Sequence, residues 1–497
     1  MKIINLNSRS VTIELESNTP YYNEEEYEIF LNDNLIRKEK RNVFTIYDLE
    51  PDSDYKIEAQ GIINFHTPKE KWTVYLKDFN PYKDGINNDT AFLQAAIMAT
   101  PVGGTLIIEE GTYLVTSLYL KSNVNIYLKK NARILASTNR RDYPIHPSYA
   151  NVGLWEGAEV NNFSSTVNFI DNENVTIYGE GEIDGQAENG DWYINHRVMN
   201  IAWRGHSIFM VRSNNINIIG LYVHNTQAWA IHPYMSSNLN FYNLYIKNNP
   251  KMPTTDGIDP DCSNNIEIKG CKFSVGDDCI AIKSGTYDLA LKYKQASSDI
   301  LIENNLMADG HGGVVFGSES SGGIKNIIVR RCLFENTDRG LRIKTIRGRG
   351  NVGQIDNITF DDIVMNNVLT PFVINSYYNM GPKGGHEEYV WTTKALPVDE
   401  YTPVLGAFHF SNMVCNDVSI AAGVFLGLAE MPIKLVSFEN VSFSYNKEAL
   451  EGIPCMMEHP YKMKRAGIFC LNVEKLETKN VTFDGVLGDE IIKEWTR

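Results

Sequence analysis

No stretch of the sequence approaches the roughly 20 consecutive apolar residues that cross a bilayer as a helix. Cysteine is sparse: seven among 497 residues, with no Cys-x-x-Cys pair. An odd count without paired spacing argues against a disulfide framework or a zinc site, and predicts buried free thiols suited to a reducing compartment. Positive charge is also short. Lysine and arginine total 46 against 61 aspartates and glutamates, a net charge of −15. That disfavours nucleic acid and anionic membranes as partners, and leaves an acidic ligand to be held by local cations. The start, Met1-Lys2-Ile3-Ile4-Asn5-Leu6-Asn7, lacks the apolar core and small-residue cleavage site of a leader. The expectation is a cytoplasmic protein, or a secreted one if a leader has been removed.

Two textures divide the chain, setting expected domains at 1–68 and 69–497. Residues 1–68 read as short alternating strands, such as Val11-Thr12-Ile13-Glu14-Leu15 and Tyr27-Glu28-Ile29-Phe30-Leu31. The run Leu49-Glu50-Pro51-Asp52-Ser53-Asp54-Tyr55 resembles the fibronectin type III pattern, in which a tyrosine hydroxyl bonds back to upstream backbone. This small β-sandwich is expected to cover the larger domain or to lengthen a pocket wall.

Residues 69–497 repeat themselves. A polar residue, usually Asn, opens an apolar/polar alternation at Asn174, Asn215, Asn238, Asn265, Asp299, Asn326 and Asn357, and again at Asn440 and Asn480. From 174 to 357 the spacings are 41, 23, 27, 34, 27 and 31 residues. Such a period, with period-two strands inside it, fits a right-handed parallel β-helix whose stacked coils share one core. The segment Asp89–Ala99 reads as an amphipathic helix capping the open end. Longer loops at 149–165, 287–298 and 379–403, the last holding Gly381–His386, are expected to wall a groove.

Acid, imidazole and basic groups then recur about one coil apart: Thr254-Thr255-Asp256, Gly276-Asp277-Asp278, Gly310-His311-Gly312 and Arg342-Ile343-Lys344. Singly, each is an ordinary turn or solvated face. Stacked, they would form a ladder on one side of the solenoid. Crowded carboxylates repel, so one keeps a proton near neutrality while another stays ionised. That division of labour suits glycoside hydrolysis, where an inverting enzyme sets its two carboxyls ~6.5–9.5 Å apart around a water. Arg342 and Lys344, two apart on a strand, point the same way and suit a sugar carboxylate.

These four segments, in this order, resemble the signatures of glycoside hydrolase family 28, the polygalacturonase family. The first departs from the family's Asn-Thr-Asp by carrying Thr254. The resemblance implies Asp277 as general acid and Asp256 with Asp278 activating water, with His311 tuning the acid. It also implies Arg342, Lys344, Tyr378 and Lys283 as substrate-binding residues, with no cofactor and no metal. The implied reaction is inverting hydrolysis of α-1,4-galacturonosyl linkages in polygalacturonate or its oligomers. A sandwich ahead of the β-helix is similar to bacterial exo-acting members. The alternatives are a rhamnogalacturonan hydrolase, a Ca²⁺-dependent pectate lyase and a non-catalytic carbohydrate-binding β-helix; His311 speaks against the first.

Overall fold

The residue that opens each repeat has a physical task. In the computed structural model, which describes residues 1–150, 152–379 and 387–494, Asn174, Asn215, Asn238, Asn265, Asn326, Asn357, Asn440 and Asn480 all take left-handed φ values of 53–58°. Asparagine tolerates that region because its short amide can hydrogen-bond locally. Here the amides bond along the stack instead. Asn215 Nδ2 donates to Asn174 Oδ1 at 2.7 Å, Asn357 to Asn326 at 2.8 Å, and Asn480 to Asn440 at 2.9 Å. Asparagine thus turns most of these coils and links each to the next, with Asp299 taking the same left-handed turn and accepting from Asn326 at 2.9 Å.

Behind each asparagine the strands pair in parallel and in register. Val175, Ile216, Leu239, Ile266, Ile300, Ile327, Ile358 and Phe408 form one vertical column, each at most 2 % exposed. Burying such a side chain stabilises the fold by about 1.5–3 kcal/mol, and only stacking supplies the burial. The helix Thr90–Ala99 closes one end with Leu93, Ala96 and Ile97 in the same core. All seven cysteines are free and buried.

The N-terminal 66 residues form antiparallel sheets of three and four strands around Val11, Ile13, Ile29, Phe44 and Ile57. The Tyr55 hydroxyl accepts the Glu50 backbone N–H at 2.8 Å, the contact expected of that motif. This unit lies against the flank of the solenoid. Ile4 and Tyr47 pack on Tyr127, Tyr178, Ile219 and Tyr242. Glu14, 1 % exposed, meets Arg331 at 3.3 Å and accepts from Asn304 Nδ2 at 2.8 Å. The first strand of the solenoid stack is Thr73–Tyr75.

A third face carries the strands Val167–Ile170, Ile208–Val211 and Ile231–Tyr234, and further along Asp278–Ile282, Gly312–Phe316, Arg339–Lys344 and Thr370–Asn375. Between the two runs one coil pairs through isolated bridges, Ile231 to Ile258 to Ile280 and Tyr234 to Asp261 to Lys283. Left-handed Thr254 and Cys262 bracket that coil, and it opens the sheet where the acids gather.

Candidate active site

The bridge between Ile258 and Ile280 puts Asp256 in line with Asp278, and Asp278 pairs with Gly312. The expected ladder therefore forms for these coils. One oxygen from each of Asp256, Asp277 and Asp278 lies within 4.8 Å of the other two. The glycines of the motifs make room. A Cβ on Gly312 would sit 3.1 Å from Asp278 Oδ1, and one on Gly276 would sit 2.3 Å from the Met252 carbonyl oxygen.

The two cations arrive by a different route. Val314 pairs with Leu341 and Val315 with Arg342. By that register Arg339, not Arg342, stacks on Gly312. Arg342 and Lys344 lie further along their strand and reach back to the triad. Lys344 Nζ is 2.6 Å from Asp278 Oδ2 and Arg342 Nη1 is 3.2 Å from Oδ1. The spacing was legible; the same-rung placement it suggested does not hold for these two residues.

The three acids differ in environment. Burial raises the proton affinity of Asp278, but Lys344 and Arg342 outweigh it and hold the carboxyl well below the usual carboxylate range. Asp256 is pushed well above that range, chiefly by burial and then by Asp259 and Asp277. Asp277 is half-buried, and its Oδ2 accepts the Thr254 backbone N–H at 2.8 Å. Lys283 is buried beneath Asp256. Its ammonium lies 3.2 Å from Asp259, 3.9 Å from Glu319 and 4.0 Å from Asp256. Asp259, fully buried, is raised to about 7 by burial against the pull of Lys283.

His311 donates its backbone N–H to the Asp277 carbonyl oxygen at 2.9 Å. Its ring is 54 % exposed and pairs with Asp338 Oδ2 at 2.8 Å, a bond that raises its proton affinity. It therefore reaches the acids through charge and backbone, not through a side-chain bond to them. Tyr378 lines the cavity, with Arg342 and Lys344 near its ring at 5.9 and 5.8 Å.

The cavity has a volume of about 350 Å³. Besides the expected Asp256, Asp277, Asp278, Lys283, Lys344 and Tyr378, it is lined by Glu156, Arg197, Trp229, Thr254, Ser318, Glu319 and Met456. Glu156, Arg197 and Met456 come from insertions that break the repeat. Glu156 lies in the loop at 149–165 expected to wall the groove, whereas Arg197 and Met456 lie outside the three loops expected from the sequence. The loop at 287–298 supplies the helix Tyr287–Tyr293, which braces that insertion. In the loop at 379–403, residues 380–386, including the Gly381–His386 segment, lie outside the described residues. No residue of 1–68 lines the pocket among the described residues.

Clustered carboxyls of unequal proton affinity, in a cleft on a parallel β-helix, suit a glycoside hydrolase. The comparisons with known proteins give the family. The model of the glycosyl hydrolases family 28 matches residues 143–399, and the chain belongs to that family. A probable polygalacturonase of Vitis vinifera is 28 % identical over 375 residues, covering 74 % of this chain and 73 % of the relative. A hyperthermoactive exopolygalacturonase of Thermotoga maritima is 26 % identical, with a TM-score of 0.66 over 79 % of this chain and 94 % of that one. The family 28 exopolygalacturonase of Yersinia enterocolitica, 20 % identical, shares the fold over 99 % of this chain and 97 % of its own, with a TM-score of 0.72.

Proposed function

We propose that this glycosidase hydrolyses α-1,4-galacturonosyl linkages of polygalacturonate or oligogalacturonides in pectin degradation, acting from chain ends. The observation that carries the reading is the triad with two cations at its edge. Asp256 and Asp278, with oxygens no more than 4.8 Å apart, are spaced to share one water. Two hydrogen bonds of about 2.8 Å from a single water span a little over 4 Å. Asp278, held ionised by Lys344 and Arg342, draws the proton as that water attacks the anomeric carbon. Asp277 opens to the cavity and gives its proton to the departing glycosidic oxygen.

Substrate is held by the same cations. Among the described residues the second amino group of Arg342 bonds the thioether of Met456, at 3.2 Å, and a thioether is a weak acceptor. A uronate carboxylate would replace it with a charge-assisted bond. The lyase alternative needs an acid cluster free to bind Ca²⁺, yet both oxygens of Asp278 are already engaged by cations. One competing assignment has a specific basis: the strongly raised Asp256 is also placed to be the proton donor.

Exo action draws on the insertions. Glu156, Arg197 and Met456 line the cavity from insertions outside the repeat, and side chains added at the rim of a groove favour attack from a chain end. A product time course on polygalacturonate tests it. Mono- or digalacturonate should appear first, and early mid-length oligomers would refute attack from the end. No cleavage of either polymer or oligomers would reject the galacturonan reading itself.

A further inference from the structure

Glu156 takes no part in the chemistry above, yet it lines the pocket from the tip of a firmly anchored hairpin. In that hairpin Leu154 pairs with Glu159 and Trp155 with Ala158. The turn places Glu156 at φ 46° and Gly157 at φ 72°. A long side chain rarely adopts the first of these, and such residues concentrate at functional sites.

The hairpin is fastened on several sides. The Trp155 ring is stacked between Trp203 at 5.2 Å and Trp229 at 6.0 Å, with the Arg204 guanidinium 4.9 Å from it. Thr286 donates to the Gly157 carbonyl at 2.8 Å, Lys292 pairs with Glu159 at 2.8 Å, and the Tyr293 hydroxyl bonds the same carboxylate. Gly157 lies so close to Glu319 and Thr286 that a Cβ there would be 2.8 Å from each side chain. The hairpin tip is thus fixed beside the cavity, and Glu156, an exposed residue, is one of the groups that line it. Among the described residues Glu156 has no hydrogen bond or ion pair.

Carboxylates accept hydrogen bonds from hydroxyls and repel both sugar carboxylates and bare ether oxygens. In an α-1,4-linked chain only the unit at the non-reducing end has a free 4-hydroxyl; every inner unit has a glycosidic oxygen there. We infer that Glu156 is a specificity-determining residue that reads the free 4-hydroxyl of the terminal unit. This inference rests on the galacturonan reading above. It assigns to one side chain the discrimination between a chain end and a chain interior, and between a saturated end and a 4,5-unsaturated end that has lost that hydroxyl.

The test compares kcat/KM on saturated and 4,5-unsaturated trigalacturonate for the wild-type protein, Glu156→Gln and Glu156→Ala. The wild type should favour the saturated trimer about 10- to 100-fold, the worth of one hydrogen bond to a charged group. Glu156→Ala should lose that preference through the saturated substrate alone, mainly in KM, with the unsaturated trimer turned over as before. Glu156→Gln, which still accepts a hydrogen bond without charge, should fall between. Equal wild-type rates on the two trimers, or an equal loss on both in either variant, would overturn the inference while leaving the hydrolase intact. No wild-type turnover of either trimer would overturn the galacturonan reading and this inference with it.

Discussion

Replacing Lys344 by methionine removes the ammonium nearest Asp278 while keeping most of the side-chain volume. The pair is buried, with side chains 10 % and 1 % exposed and 2.6 Å between the charged atoms. Breaking such a pair costs about 3–5 kcal/mol, because the remaining charge stays buried. Arg342 still reaches Asp278 at 3.2 Å, so the loss should fall near the lower figure, about 3 kcal/mol. The sign with pH follows from linkage. Asp278 is depressed in the folded state, so its contribution is present above its ordinary value and is lost as pH falls through its native one. The wild-type advantage in urea unfolding should be widest near neutrality and close in acid. The same substitution lets Asp278 take up a proton more readily, so the acid limb of kcat/KM should move to higher pH. Adding Asp278→Asn to Lys344→Met removes the stranded charge and should restore much of the stability. Equal urea midpoints for Lys344→Met and wild type, an unmoved acid limb, or a gap that widens in acid would refute the reasoning.

Other expectations follow from the same geometry. Asp277→Asn should lower kcat on trigalacturonate by about 10²–10⁴-fold while leaving binding, read by calorimetry, intact. On an aryl galacturonide whose leaving group needs no proton, Asp277→Asn should recover; recovery by Asp256→Asn instead would exchange the two roles. Asp338→Asn removes the negative charge whose hydrogen bond raises His311, so the alkaline limb of kcat/KM should move to lower pH with the acid limb unchanged. Deleting residues 1–68 uncovers Tyr127, Tyr178, Ile219 and Tyr242 and leaves Arg331 without Glu14. Solubility and urea midpoint should both fall, and unchanged values would contradict a covering role.

The solenoid was legible because most coils open with asparagine for the same reason, and Asp299 does the same task in its place. Asn215 and Asn357 must both turn left-handed and bond the asparagine one coil earlier, so the period is written mostly in one letter. Asp256, Asp277 and Asp278 were legible because register carries equal sequence positions to equal places. Arg342 and Lys344 were found by type, but their rung was not, since long side chains bridge a register offset that spacing alone hides. Glu156, Arg197 and Met456 went unmarked. They belong to insertions with no period, and the packing that delivers Glu156 depends on Trp203 and Trp229 from other coils. The faint signal was local: Trp155-Glu156-Gly157, an aromatic anchor before a turn that only its glycine openly announces.

The carboxyl spacing poses the sharpest question. The nearest oxygens of the triad, at most 4.8 Å apart, are closer than the ~6.5–9.5 Å between carboxyl groups that usually accompanies inversion, and nearer the ~5–5.5 Å of enzymes that retain configuration. A water shared by Asp256 and Asp278, with Asp277 giving the proton, still yields a single displacement. Proton NMR of trigalacturonate during the first turnovers decides the matter. The new reducing end should appear first as the β-anomer and only later mutarotate. An α-anomer formed first would mean that one of these aspartates attacks the sugar itself, and an unsaturated product with no water added would mean that the site is not hydrolytic.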